Sequence, residues 1–331
     1  MPNAKYDVLG IGNAIVDVLA STDEAFLVER GLTKGAMQLL DAEAAEQLYR
    51  EMGPGVEASG GSAANTIAGI ASFGGSTSFV GKVKRDQLGN IFTHDVRALG
   101  VHYETPIAES GPSTARCLIL VTSDAQRTMN TYLGACVTLG PDDVNADDVR
   151  DSAVTYLEGY LWDPPAAKEA FRKAMKIAHE AGRKVALTLS DAFCVDRYRS
   201  EFQELVESGV DIVFANETEI CSLYQVDNFD DALQKLRGKT TLAALTRGEK
   251  GSVVVSGDEV HVIDPEKVER AIDTTGAGDQ YAAGFLFGYT RGFDVARCGA
   301  LGGMAAAEVI SHYGARPETP LLDLAKAKGL I

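Results

Sequence analysis

The chain is poor in the residues that staple small proteins or hold metals. Its 331 residues include five cysteines, five histidines, ten prolines and one tryptophan. Cys117, Cys136, Cys194, Cys221 and Cys298 are scattered, odd in number and never spaced Cys-x-x-Cys. That excludes a disulfide framework or a zinc ribbon and reads as small buried hydrophobes in a reduced cytosol. Long apolar runs are also missing. The longest, Cys298 to Ala307, is broken by glycines and falls short of the roughly 20 residues a membrane helix requires. From Met1 to Tyr6 no basic stretch leads into an apolar one, so no signal peptide and a cytoplasmic location are expected. Positive charge is in the minority, with 31 Lys and Arg against 47 Asp and Glu, a net charge of −16. Such a balance argues against nucleic acid and membranes as partners. It leaves room for an anionic small molecule, because local backbone dipoles can bind phosphate.

What is present fits a globular protein. Hydrophobic residues make up 45%, enough apolar surface to offset the entropy of the chain and exclude disorder. Apolar runs at Tyr6–Ile11, Ser78–Gly81, Cys117–Thr122, Val154–Leu157, Lys184–Leu189, Asp211–Ala215, Leu242–Thr246 and Ser252–Val255 predict strands. Helical periodicity marks Ala42–Met52, Ala166–Ala181, Phe229–Leu236, Asp279–Arg291 and Val295–Ile310. Their alternation predicts an α/β fold with a mostly parallel central sheet flanked by helices. Residues 15–40 and 101–136 carry β-like runs without intervening helices and are expected to form a small separate sheet. No Pro/Ser linker divides the chain, so residues 1–331 are expected to be one domain with that excursion. The aspartates between 142 and 151 are expected to lie on a solvated helix that begins at Pro141.

Two glycine motifs and one Asn-Glu pair carry the chemistry. Asp273-Thr-Thr-Gly-Ala-Gly-Asp279 precedes the apolar stretch 280–289. Gly276 and Gly278 leave the backbone bare to an anion, and the helix start adds unpaired N–H groups and a positive dipole end. Asp279 then stands beside any bound phosphate, where a carboxylate belongs only if it takes a proton from an attacking hydroxyl. The competing reading is a glycine turn with Asp279 as a helix cap. Gly10-x-Gly12 follows the first strand, but Ile15 replaces the third glycine of a dinucleotide fingerprint, which removes that reading. Asp17 can accept from both hydroxyls of a cis-diol or simply close a strand. Asn216-x-x-Glu219 ends a strand and begins a helix, and as a bare motif it is a capping box. Thr246, Arg247, Gly248 and Gly251 form a turn that is also a hairpin candidate.

These motifs together resemble the pfkB-type (ribokinase-like) kinases. Asp273–Asp279, Gly60-Gly61-Ser62-Ala63-Ala64-Asn65 and Gly10–Asp17 occur in the family's order across nearly the whole chain. Within the family, Gln38, the run Gln126–Ala135 and Asn13 with Asp17 are most similar to adenosine kinases and their bacterial relatives. The resemblance implies a three-layer ribokinase-like sandwich whose small sheet acts as a lid. It implies ATP and Mg²⁺ as cofactors, with potassium near Asp273 in many relatives, and a nucleoside or sugar as acceptor. Asp279 is implied as the base, with Gly276, Ala277 and Gly278 as anion hole and Arg127 reaching the phosphoryl group. Asn13, Asp17, Gly60, Gly61 and Asn65 are implied to hold the sugar, and Gln38, Cys117, Leu133 and Ala135 to line the nucleoside pocket. Tyr160 or Trp162 would add an aromatic wall, and Arg116 is a second arginine in the lid. Asn216, Thr246, Arg247, Gly248 and Gly251 are implied on the ATP side, where Asn216 and Glu219 would organise Mg²⁺ through water. His312 and the segment Ala305–Ala307 would border adenine. Either a monomer or a homodimer is compatible with the family. The chemistry expected is transfer of the ATP γ-phosphoryl group to a ribosyl 5′-hydroxyl, adenosine before other nucleosides, ribose or fructose.

Overall fold

A computed structural model describes residues 4–124 and 126–331. Residues 1–3, part of the N-terminal stretch considered above, and Ala125, within the 101–136 segment, lie outside the described residues. The strands in chain order are β1 (Tyr6–Ile11), β2 (Ile15–Ser21), β3 (Met37–Leu39), β4 (Val56–Gly60), β5 (Thr77–Val80), β6 (Ala115–Val121), β7 (Arg127–Tyr132), β8 (Ser152–Glu158), β9 (Lys184–Thr188), β10 (Ile212–Asn216), β11 (Leu242–Thr246), β12 (Ser252–Ser256) and β13 (Glu259–Ile263). They form an eight-stranded sheet, in the order β13-β12-β11-β10-β9-β8-β1-β5, and a five-stranded sheet, in the order β3-β7-β6-β2-β4.

The large sheet is parallel from β11 to β5 and antiparallel at its β12–β13 end. Its strands are apolar on both sides because helices cover both faces. Alternate residues of one strand feed opposite cores. Val213 and Ala215 of β10 join one cluster, and Ile212 and Phe214 join the other. The helix Pro165–Glu180 covers the first face. Ala167, Ala170, Phe171, Ala174 and Ala178 recur at helical spacing and are buried. The helices Ser62–Ser72, Ala277–Thr290 and Val295–Val309 cover the second. This is the mostly parallel, helix-flanked sheet the sequence predicts.

The small sheet is built from the two β-like regions, with one addition. Strand β4 lies outside residues 15–40, and its Val-Glu-Ala-Ser-Gly sequence contains weak strand formers. It is an edge strand held by β2 alone. The sheet is one-sided. Val18, Leu118 and Leu120 pack with Leu27 and Leu48, and each such side chain contributes roughly 1.5–3 kcal/mol on burial. The opposite face presents Ile15, Asp17, Cys117, Ile119, Met129 and Thr131 to a cavity.

The acidic stretch differs from the expected solvated helix. It is a 3₁₀ turn, Pro141–Asp143, and a short helix, Ala146–Arg150. Asp143 is drawn inward by Lys82, a partner distant in sequence, and caps Gly140 N–H at 2.9 Å. All five cysteines are free thiols, four of them buried. Among the described residues no helix is long and apolar enough to cross a membrane.

Candidate active site

A cavity of about 990 Å³ lies between the small sheet and the carboxyl ends of β1, β8, β9, β10 and β11. Parallel sheets bind ligands at that edge. Three pieces of sequence far apart in the chain meet there: Asp17 on β2, the start of the helix Ser62–Ser72, and the start of the helix Ala277–Thr290.

The turn at residues 274–279 is formed as its glycines require. Gly276 has φ +78°, and a Cβ on it would stand 2.7 Å from the Ala315 Cα. Only glycine fits that close approach in a left-handed conformation. Thr274, Thr275, Gly276, Ala277, Gly278 and Asp279 all border the cavity. The helix N-terminus therefore opens onto it with its unpaired N–H groups.

Asp279 is held from below by the second glycine motif. Ser62 Oγ donates to Asp279 Oδ1 at 2.6 Å, and Asn65 Nδ2 donates to Oδ2 at 3.2 Å. Burial pushes the Asp279 carboxyl up to about 6, and the two hydrogen bonds pull in the opposite direction. Asp17 is likewise pushed up to about 6 by burial, opposed by the positive charges of Arg316 and Arg127 and reinforced by Asp279. Its carboxylate lies against Gly60, where a Cβ would be 2.3 Å from Oδ2. Both carboxylates border the one cavity, so a polyhydroxylated molecule on Asp17 can present another hydroxyl to Asp279.

Other predicted residues divide into those on the wall and those behind it. Asn13, Gln38, Gly61, Asn65, Cys117, Leu133, Asn216, Glu219, Thr246 and Gly248 line the cavity. The Gln38 amide is already engaged, donating to Asn130 Oδ1 at 2.8 Å. Tyr160 lines the cavity, whereas Trp162 is a core residue bonded to Glu201. Gly60, Ala135, Arg247 and Gly251 do not line it. Ala135 is buried in the 3₁₀ turn Gly134–Thr138. Arg247 turns outward to Glu217 at 3.2 Å and over the Phe229 ring. Arg116 alternates with Cys117 and so points to the other face of the small sheet, pairing with Glu46 at 2.8 Å. Arg127 also stands off the wall, with Nη2 2.8 Å from Asp273 Oδ2 and its guanidinium over the Tyr313 ring. The Nη2 contact is an ion pair outside hydrogen-bond geometry, and Nε is buried without a hydrogen-bond partner. His312 is bonded to Glu308 and lies away from the cavity.

Sequence reasoning missed Glu158. This residue ends β8, is almost fully buried and lines the cavity. It accepts from Asn13 Nδ2 at 2.6 Å, from Asn13 N–H at 3.3 Å and from Ala63 N–H at 2.9 Å. Burial pushes it up to about 7. A carboxylate closing an apolar parallel strand was the available signal. Met37, Ile119, Met129 and Thr131 were missed for the opposite reason: nothing distinguishes them from core residues until the cavity is seen.

The Asn216 and Glu219 pair is a capping box, with Glu219 N–H donating to Asn216 Oδ1 at 2.9 Å and Asn216 N–H to Glu219 Oε2 at 3.0 Å. It also faces the cavity. Burial pushes Glu219 up to about 7, and Asp191 and Asp279 push the same way. Glu219, Asp191 and Asp279 all border the cavity, a donor set that fits a divalent cation held through water. Among the described residues no cluster of three or more His, Cys, Asp or Glu forms a direct metal cage.

Residues 36–321 match the profile of the pfkB family carbohydrate kinases. The chain belongs to that family. It is therefore a kinase, a phosphotransferase that acts on a hydroxyl acceptor. The fold is that of the solved ribokinase-like enzymes. The chain is 54% identical to a probable sugar kinase from Rhizobium etli, with TM-score 0.93 over 99% of this chain and 100% of that one. It is 58% identical to the adenosine kinase from Sinorhizobium meliloti, with TM-score 0.92 over 98% and 100%. Among curated relatives, a probable fructokinase from Arabidopsis thaliana is 29% identical over 70% of this chain and 73% of its own length. Both acceptor classes thus occur among the relatives of this kinase.

Proposed function

We propose that this kinase phosphorylates the 5′-hydroxyl of adenosine with ATP, giving AMP. The observation that carries the reading is the pairing, on one cavity wall, of Asp17 with apolar side chains of and beside the small sheet. Met37, Leu39, Ile119, Met129 and Leu133 border the cavity beside Asp17. A purine has flat apolar faces that such a wall accommodates, and a bare sugar has none. The likeness to the Sinorhizobium meliloti adenosine kinase points the same way.

In this reading Asp17 accepts from the ribose hydroxyls, with Asn13, Gly60, Gly61 and Asn65 completing the cradle. Gln38, Cys117 and Leu133 meet the base, with Ala135 behind them. The 5′-hydroxyl then faces Asp279, which accepts its proton as the oxygen bonds phosphorus. A carboxyl near pH 6 takes the proton in that step and not beforehand. N–H groups of Gly276, Ala277 and Gly278 stabilise charge on the phosphoryl oxygens. Arg127 offers its charge from beside Asp273. On the ATP side Asn216, Thr246 and Gly248 border the polyphosphate, with Arg247 and Gly251 shaping the turn. When bound, Mg²⁺ neutralises the polyphosphate, and Asn216 and Glu219 would hold its waters. Residues 15–40 and 101–136 form a lid on a single catalytic domain and exclude water when closed.

Phosphorylation of a simple sugar is the second reading, favoured by the Rhizobium etli and fructokinase relatives. ATP consumption over adenosine, inosine, guanosine, ribose and fructose separates the two. A kcat/KM for adenosine at least about 100-fold above every sugar is expected. Equal or better turnover of fructose or ribose would end the nucleoside reading.

A further inference from the structure

The loop after the helix Val295–Val309 carries an arginine that no motif above includes. Gly314-Ala315-Arg316-Pro317 is bound to the site at both ends of the catalytic turn. Gly314 N–H donates to Asp273 Oδ2 at 2.9 Å. Ala315 packs on Gly276. Gln280, the residue after Asp279, donates from Nε2 to both Ala315 O and Asn65 O at 3.0 Å. The loop is thereby fixed in place, and Arg316 extends from it beneath the acceptor end of the cavity.

The arginine makes a forked contact. Nη1 donates to Ser59 Oγ at 2.7 Å and Nε to Asn65 Oδ1 at 3.3 Å, while Nη2 is buried without a hydrogen-bond partner. Desolvation weakens its hold on its own proton, and Asp17 and Asp95 are the negative charges that oppose this. Now consider the Asn65 amide. It has one donor end and one acceptor end, and reversal would turn its carbonyl toward the Asp279 carboxylate. Arginine has only donors, so a guanidinium at Oδ1 permits one orientation, with Nδ2 toward Asp279. Arg316 is also the largest counter-charge to burial at Asp17.

We infer that Arg316 is a positioning residue of the acceptor subsite, fixing the direction of the Asn65 amide toward Asp279 and supplying the positive charge beneath Asp17. Arg316 does not itself line the cavity and acts through Asn65, which does. Its effect falls on acceptor binding and on the base, and not on ATP. The inference rests on the acceptor reading given above only in placing the substrate hydroxyls between Asp17 and Asp279.

The test uses the full chain with MgATP as donor and adenosine, ribose and fructose as acceptors. Arg316→Gln is expected to raise KM for the acceptor at least about 10-fold and leave KM for MgATP within about twofold. The acidic limb of its kcat/KM profile is expected to move up by about one pH unit, because a lost counter-charge raises a carboxyl. Arg127 acts on Asp17 with Arg316 and Asp279, and the titratable groups that feel Asp17 or Asp279 are Cys117, Glu158, Glu219, Tyr156 and Tyr160; all of these are unchanged, and burial keeps the thiol and the phenols uncharged at that pH. Arg316→Lys retains the charge without the fork. It should keep the acidic limb within about 0.3 pH unit and recover part of the KM loss. Thermal melting checks that both variants are folded; if Arg316→Gln is not, the KM split is read on Arg316→Lys. Equal changes in KM for acceptor and MgATP, or an unmoved limb with an unmoved acceptor KM, would overturn the inference. Should the wild type act on a sugar instead of adenosine, the nucleoside reading fails and the Arg316 comparison is read on that sugar. A wild type inactive on all three sinks both.

Discussion

The two walls of the cavity are made differently. The edge of the large sheet offers backbone N–H groups, threonines and carboxylates, from Thr274 to Asp279 and from Asn216 to Thr246. The small sheet offers methionine, leucine, isoleucine and a single carboxylate, Asp17. The first wall suits phosphate, which every kinase of this kind must handle. The second suits whatever acceptor a given member takes. Substitutions on the two walls should therefore fail in different ways.

The greatest effect is expected on the large-sheet wall. Asp279→Ala should fold and lose kcat by about 10³-fold or more with little change in either KM. Near-normal turnover would remove Asp279 as the base. On the small-sheet wall, Asp17→Ala should weaken adenosine binding by about 100-fold, the consequence of losing hydrogen bonds to a charged group. ATP affinity, read by calorimetry, should stay within about twofold, and equal losses would erase the distinction between the walls. Met129→Gln should raise KM for adenosine by about 10-fold while any residual turnover of fructose is unaffected. If both acceptors suffer alike, Met129 does not face a base.

Two smaller effects come from the carboxyls. Asp17 and Asp279 are both raised to about 6, and in the proposed mechanism both act ionised. The acid limb of log kcat/KM should bend near pH 6 with a slope steeper than one, as a coupled pair. A unit slope would mean that only one of them matters. The raised carboxyl also bears on stability. Above pH 6 the folded protein holds Asp279 ionised at a cost, whereas the unfolded chain ionises near 3.8. Folding stability from this group thus falls as pH rises through about 6. Asp279→Asn should be more stable than wild type at pH 8, by roughly 1–3 kcal/mol, and this advantage should vanish near pH 4. Denaturant melts at the two pH values measure it.

The large sheet was the more legible half. Tyr6–Ile11 and Leu242–Thr246 were readable to the residue, because strands buried on both faces are continuous apolar runs. Helix Phe229–Leu236 was equally clear. The small sheet blurred because one face lines a cavity. There Asp17, Cys117 and Thr131 interrupt the pattern for reasons the strand itself does not contain. The glycine motifs showed where bare backbone would be needed, and the cavity brings both motifs together. What stayed hidden was the partner of each site residue. Glu158 under Asn13, Arg127 beside Asp273 and Arg316 under Asn65 are joined across 145, 146 and 251 positions of chain, distances over which no local pattern speaks.

The connections between the sheets have a mechanical meaning. Strand β1 belongs to the large sheet and β2 to the small one, with only Gly12, Asn13 and Ala14 between them. The return path from β4 into the helix Ser62–Ser72 passes through Gly61 alone. Those crossings are short covalent links between the two sheets, and Asn13 and Gly61 are also part of the cavity wall. Were one sheet to rock against the other, these links would have to bend, and with them the cavity wall beside Asp17. A molecule held there would sit near the fulcrum of such a motion, with β3, at the opposite edge of the small sheet, farthest from it.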